Sequence, residues 1–393
     1  MKHLIISFIW VLSFLSAVAQ QVNNTTTLVG SWIGKLSFGS RELSIGLNIK
    51  QQEGHVVCTL DSPDQGVKGI GCYKNLLTDK AIKVSVPAIG ASYEAELVKG
   101  NLVGTFSQGG LSLPLILKRG EYKPRRPQTP AEPFTYTTEE VVFENKAEGA
   151  QLSGTLTYPV NYEKYKRGTV PVVLMASGSG AQNRDEELFG HKPFLVIADF
   201  LAKNGIASLR YDDRGVGKSA GPTKNTTTEN NLADAEAGIT YLRNLKKFGK
   251  VGVLGHSEGG TIAFMMGANK SVDFLISLAG SAANGTDVII GQNRAVMQLQ
   301  GVPQEIINDY AAALRIVYAD RINGKEIADK SEYIENLCQT ELLTLPDNFK
   351  SNLVKCITFG GNWLTWFLGY SPSEAISRIK CPVMALNGNI GVR

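Results

Sequence analysis

Alternating apolar and polar residues dominate the first third of the chain. Leu43-Ser44-Ile45-Gly46-Leu47-Asn48-Ile49 sends every second side chain to one apolar face, and Ile82-Lys83-Val84-Ser85-Val86 repeats the pattern. A period of two is the mark of a half-buried strand. Shorter runs at 92–97, 102–106 and 113–117 follow, separated by Gly-containing turns. No window between Leu28 and about Arg119 carries helical spacing, so the stretch predicts a small all-β barrel or sandwich. Residues 123–133 then place four prolines among basic and polar side chains. That composition favours extended polyproline geometry and a semi-rigid spacer. The pattern therefore predicts an all-β domain at 20–120 and a linker at 121–134.

From 135 to 393 the rhythm changes. Segments 141–144 and 152–158 read as an opening pair of strands. Residues 170–176 form a continuous apolar run, as expected of a strand buried on both faces. A helix at 194–204 ends at Gly205, a C-cap signal. Then come a strand at 206–211, a helix at 231–246, a strand at 251–254, a helix at 261–267 and a strand at 274–279. Strands alternating with helices predict an α/β fold whose mostly parallel sheet is covered on both faces. From about 287 to 379 the pattern is helical, which reads as a cap inserted before the chain returns to the sheet at 381–387.

Composition narrows the function classes. A net charge of +4 over 393 residues, with no basic stripe interleaved with aromatics, argues against a nucleic-acid partner. At the N-terminus Lys2 and His3 precede an apolar run at 4–15, which ends in Ser16-Ala17-Val18-Ala19. This predicts a signal peptide at 1–19 and export to a periplasm or the cell exterior. No later run reaches about 18 apolar residues, so no membrane span is expected after cleavage. The five cysteines form no C-x-x-C and lie near no His cluster. That argues against zinc, and no metal or cofactor is implied. Whether Cys58 pairs with Cys72 is not decided by spacing.

The chemistry lies in Gly255-His256-Ser257-Glu258-Gly259. G-x-S-x-G alone is common, but here it follows an apolar strand and opens a helix. A sharp strand-to-helix turn would hold Ser257 on a strained backbone with its hydroxyl exposed, making it the expected nucleophile. The Glu258 backbone N–H, at the helix N-terminus, is then a donor for a developing oxyanion. The second donor should come from the loop after the apolar strand at 170–176. The backbone N–H of Ser179 in Ser177-Gly178-Ser179-Gly180 is the expected one. Trp363, Trp366 and Phe367 in the cap are candidates for an apolar substrate pocket, or else pack the cap's own core.

Four segments carry a resemblance: Gly178-Ser179-Gly180, Gly190-His191-Lys192-Pro193-Phe194, Leu209 through Ser219 with its Asp212-Asp213-Arg214-Gly215-Val216-Gly217 core, and Gly255 through Gly260. Residues 135–393 resemble the α/β-hydrolase superfamily, in its bacterial secreted carboxylesterase or serine-aminopeptidase-like branch with an N-terminal β domain. The resemblance implies acyl transfer to Ser257 from a small-molecule ester or a short peptide, followed by hydrolysis. Asp212 and Arg214 are expected to pin their loop and not to react. A peptidase of the same fold and an inactive, ligand-binding homologue are the alternatives.

The chain departs from the superfamily in one respect. The triad order there is Ser, then Asp or Glu, then His. His3, His55, His191 and His256 all precede Ser257. His256 is expected to pack into the elbow, and His191 to be structural or on the substrate side. Gly391 stands where an acid is expected after Asn387-Gly388-Asn389. The expectation is a C-terminal truncation that removes the triad acid and His and the last strand and helix. The strand near 383–386 would then be an exposed, association-prone edge.

Overall fold

The computed structural model describes residues 27–38, 41–52, 55–65, 67–122, 128–188 and 190–388. The signal peptide expected at 1–19 lies outside them, as do residues 123–127 of the expected linker. The chain divides into two compact units, 1–125 and 126–393.

The first unit is a closed antiparallel barrel of eight strands. These are β1 (Gly30–Phe38), β2 (Arg41–Gln52), β3 (His55–Ser62), β4 (Val67–Leu77), β5 (Ala81–Val86), β6 (Ala91–Val98), β7 (Asn101–Gln108) and β8 (Leu111–Arg119). Each strand pairs with its neighbour in sequence. Trp32 opposite Arg119 and Ile33 opposite Lys118 join β1 to β8 and close the barrel. Closure removes the free edges that a sandwich would leave. The alternating apolar residues fill the interior: Leu47, Ile49, Ile82 and Val84 are fully buried. Polar atoms inside are partnered. Trp32 Nε1 donates to the Leu28 carbonyl at 2.8 Å, and Tyr93 donates to the carbonyls of Leu102 and Leu115. Gly34 marks a crowded crossing, since a Cβ there would lie 2.0 Å from the Ile116 carbonyl oxygen.

The second unit is a seven-stranded sheet. Its strands are β9 (Thr138–Asn145), β10 (Ala150–Thr157), β11 (Val172–Ala176), β12 (Ala207–Tyr211), β13 (Val251–His256), β14 (Phe274–Leu278) and β15 (Val383–Leu386). Their spatial order is β15-β14-β13-β11-β12-β10-β9. The pairs β9/β10 and β10/β12 are antiparallel and the others parallel. The apolar run in β11 has a direct explanation. Val172, Leu174 and Ala176 join one buried cluster, and Val173 and Met175 join another. Helix α1 (Pro193–Lys203) covers the second face through Phe194 and Ala198. Helices α2 (Thr228–Asn244) and α3 (Glu258–Ala268) cover the first.

Between β14 and β15 run α4 (Gly285–Leu299), α5 (Gln304–Ile322), α6 (Lys330–Thr340), α7 (Asp347–Cys356), α8 (Gly361–Gly369) and α9 (Ser373–Arg378). The first five share their own apolar core, from Ile290 to Leu368. Helix α9 does not belong to it. Ile376 and Ile379 pack on the sheet core instead, and Ile379 lies against Gly267 of α3. The cap therefore ends short of the expected residue 379, because α9 already serves as cover for the sheet. Strand β15 occupies the sheet edge, and Val383, Met384 and Leu386 are each about half exposed.

Candidate active site

Ser257 stands between the end of β13 and the first turn of α3. Its backbone adopts φ 55° and ψ −113°, a region that a non-glycine residue occupies only under constraint from its surroundings. The constraint is visible. The Ser257 N–H donates to the Leu278 carbonyl at 2.9 Å, and the Ser257 carbonyl accepts from Gly260 N–H. A Cβ at position 255 would sit 1.8 Å from the Gly259 carbonyl oxygen, and one at 259 would sit 2.1 Å from that of Ala176. Only glycine at both positions lets strand, helix and elbow approach this closely.

The loop after β11 presses on the elbow from above. A Cβ at Gly178 would lie 3.3 Å from the Ser257 Cβ, 3.3 Å from His256 Nδ1 and 3.0 Å from Glu186 Oε1. Next to it, the Ser179 N–H has no partner among the described residues. Glu258 is the first residue of α3, so its N–H has no acceptor within the helix. Ser257, Glu258 and Ser179 all line one cavity of about 350 Å³, walled further by Ala282, Val288, Ile289, Trp363 and Phe367. Two cap aromatics named from the sequence are thus in this cavity, and they stack on each other at 5.6 Å. Trp366 is not: it lines neither this cavity nor its neighbour and stacks on Tyr370 at 4.7 Å. On α8, positions 363 and 367 lie one turn apart on the cavity face, whereas the Trp366 ring is turned toward Tyr370.

Two acidic residues after β12 hold the loop in place. Asp212 accepts from the Arg184 backbone N–H at 2.9 Å and from its guanidinium at 2.7 Å. Burial alone would raise this carboxyl, but Arg184 holds it below the ordinary value. Asp213 accepts from the Gln182 N–H at 2.9 Å and from the Ser177 hydroxyl at 2.8 Å. Burial pushes Asp213 up to about 7 against those two bonds, with Glu258 and Asp234 adding to the rise. Arg214 makes a two-pronged pair with Asp234 on α2, at 2.8 and 2.7 Å. Asp212 and Arg214 therefore act as pins.

Several residues of the site carry no sequence signal. Glu186 is buried, accepts from the Gly178 N–H at 2.6 Å and sits 2.7 Å from His256 Nδ1. His256 is thus not simply packed in the elbow; a third of its side chain is exposed, and the ring is oriented by Glu186. His191 exchanges backbone hydrogen bonds with Leu188 and lines neither cavity. A second cavity of about 540 Å³ adjoins the first, lined by Ser179, Asp213, Thr226, Asn231, Phe359 and Trp363 among others. Among the described residues no group of three or more His, Cys, Asp or Glu side chains is placed to hold a metal ion. Nor is any helix among them long and apolar enough to cross a membrane.

Comparisons with known proteins bear on this geometry. Esterase EstD of Thermotoga maritima is 29% identical over 148 residues, covering 38% of this chain and 35% of that esterase. The match thus spans about a third of the curated relative. Among solved structures, Est1E from Butyrivibrio proteoclasticus with ferulic acid bound is 24% identical over 36% of this chain and 52% of that one, at a TM-score of 0.30. An esterase from Pyrococcus furiosus is 15% identical over 68% and 72%, at a TM-score of 0.39. The profile of one family, X-Pro dipeptidyl-peptidase (S15 family), matches residues 107–390, more than half of the chain. The α/β-hydrolase sheet, the strained elbow and this match lead to one conclusion: the chain belongs to the X-Pro dipeptidyl-peptidase (S15) family of α/β-hydrolases.

Proposed function

We propose that the protein is a serine acyl hydrolase that takes small carboxylic esters, with Ser257 as nucleophile and the backbone N–H groups of Glu258 and Ser179 as the oxyanion hole. The observation that carries this reading is the strained Ser257 opening into the same cavity as those two donors. Attack of the Ser257 hydroxyl on the ester carbonyl would place the oxyanion against both N–H groups. Its collapse would break the ester C–O bond and release the alcohol, which carries off the serine proton. Water would then cleave the acyl-serine to the free acid and restore the hydroxyl. The relative named as an esterase supports the ester side of the reading. His256, the histidine beside the nucleophile, is engaged by Glu186 through Nδ1.

The first test is labelling with a fluorophosphonate probe, comparing the chain with Ser257→Ala. Labelling that vanishes with the serine supports the proposal. A folded chain that neither labels nor turns over any ester moves the inactive, ligand-binding reading to first place.

A second reading, hydrolysis of short peptides, is favoured by Asp213, a carboxyl that lines the adjoining cavity and could take a substrate ammonium. Faster release of 4-nitroaniline from a dipeptide anilide than of 4-nitrophenol from a simple ester, lost in Asp213→Asn, would establish it. We propose export as well, on the 1–19 leader. The mass of the mature protein recovered from a bacterial host tests this: cleavage after Ala19 is expected, and an intact N-terminus in the cell interior refutes it.

A further inference from the structure

The residue after the nucleophile does more than lend a backbone N–H. Glu258 is a carboxylate with only 3% of its surface exposed, yet no Lys or Arg pairs with it among the described residues. Its charge is met by neutral donors from two other elements. Oε1 accepts from the Thr228 hydroxyl at 2.7 Å and the Asn231 amide at 3.4 Å, both on α2. Oε2 accepts from the Trp363 indole N–H at 2.9 Å, on cap helix α8. One side chain thus ties the elbow to the sheet-covering helix and to the cap.

Trp363 is the wall that this arrangement fixes. It lines both cavities, and the only other residue common to the two linings is Ser179. The cavity that holds Ser257 measures about 350 Å³. A cavity of this size favours shorter acyl chains than the two spaces would if they were joined. The second cavity, about 540 Å³, shares Trp363 as a wall. Were the indole to turn away, the two spaces would join, but a buried carboxylate oxygen would lose its donor, which is costly.

We propose that Glu258 is a positioning residue for substrate selection: by holding the Trp363 indole it keeps the nucleophile's cavity partitioned and restricts the protein to short-chain esters. The inference rests on the acyl-hydrolase reading. Its test uses the ratio of kcat/KM for 4-nitrophenyl decanoate to that for 4-nitrophenyl butyrate. Wild type favours butyrate. Trp363→Phe keeps the ring but removes the donor, and Glu258→Ala removes the acceptor. Each should shift the ratio toward decanoate by roughly tenfold, the scale on which an apolar pocket discriminates by size. The double variant should shift no further than either single one, since both break the same bond. Glu258→Gln retains an acceptor for the indole, and the Thr228 hydroxyl can turn to accept from the amide, so this variant should keep the short-chain preference. A purely structural role would lower both esters alike and leave the ratio unchanged, which would overturn the proposal. If wild type hydrolyses neither ester, the acyl-hydrolase reading fails by itself. The partition is then read from the affinities of decanoate and butyrate, by quenching of tryptophan fluorescence. An affinity ratio that is the same in wild type and Glu258→Ala, which keeps the indole as reporter, refutes it.

Discussion

Asp213 shows how one side chain carries both architecture and pH dependence. Its oxygens secure the loop that bears Ser179, through Gln182 and Ser177. Burial raises its folded-state value from 3.8 to about 7. Between those values the folded protein keeps the proton while the unfolded chain has released it, so ionisation disfavours folding. The contribution of this group is fully present below pH 3.8 and is lost as pH rises to about 7. Asp213→Asn can keep both bonds if the Ser177 hydroxyl turns, and it does not titrate. Denaturant melts from pH 4 to 7 should therefore show wild type losing stability relative to the variant, by at most about 1.4 kcal/mol per pH unit. Parallel curves would mean the carboxyl is ionised throughout. Gly259 is a second residue-scale case. A methyl group there would meet the Ala176 carbonyl oxygen at 2.1 Å. Gly259→Ala should cost about 1–3 kcal/mol of stability and abolish Ser257 labelling, whereas Gly71→Ala, on β4 with open space at its Cβ position, should do neither.

At the scale of elements, the cysteine pair left undecided by its spacing acquires a geometry. Cys58 on β3 and Cys72 on β4 are direct cross-strand partners. Opposed residues in an antiparallel pair have Cα atoms about 4.5–5.5 Å apart, inside the range a disulfide needs. Both thiols are free, and burial pushes the Cys72 thiol up to about 12. Few thiolates are then present at neutral pH, so oxidation should be slow. Incubation with oxidised glutathione should still remove two titratable thiols and raise the barrel's stability by about 3 kcal/mol, as closing a loop of this size predicts. Thiol titration and a melt, with Cys72→Ser as control, would show it, and five thiols persisting after oxidation would refute it. Strand β15 raises a different issue. Three of its apolar side chains are about half exposed at the edge of the sheet. The 393-residue chain produced alone should associate at micromolar concentration, and Met384→Lys should return it toward a monomer in sedimentation.

On the scale of the whole molecule, each of the two units has its own buried core. Residues 27–122 produced alone should therefore give a β-type circular dichroism spectrum and a cooperative melt. A non-cooperative melt would show that the barrel needs the rest of the chain.

Much of this was legible in the sequence. Period-two runs identified the barrel strands, and the doubly apolar run identified β11, because exposure pattern is a local consequence of how many faces are covered. G-x-S-x-G located the elbow, because its glycines answer to a local close approach. The sequence could not tell barrel from sandwich. That depends on β1 meeting β8, strands some 85 residues apart in the chain. Nor could it find Glu186 beside His256, the hold of Asp213 on the Ser179 loop, the place of α9 outside the cap, or the hand of Glu258 on Trp363. Each is a contact between segments tens of residues apart, between ordinary polar or apolar residues with no spacing to betray them. Local periodicity and local sterics are written along the chain; which distant side chains share a buried hydrogen bond is decided only when the layers pack.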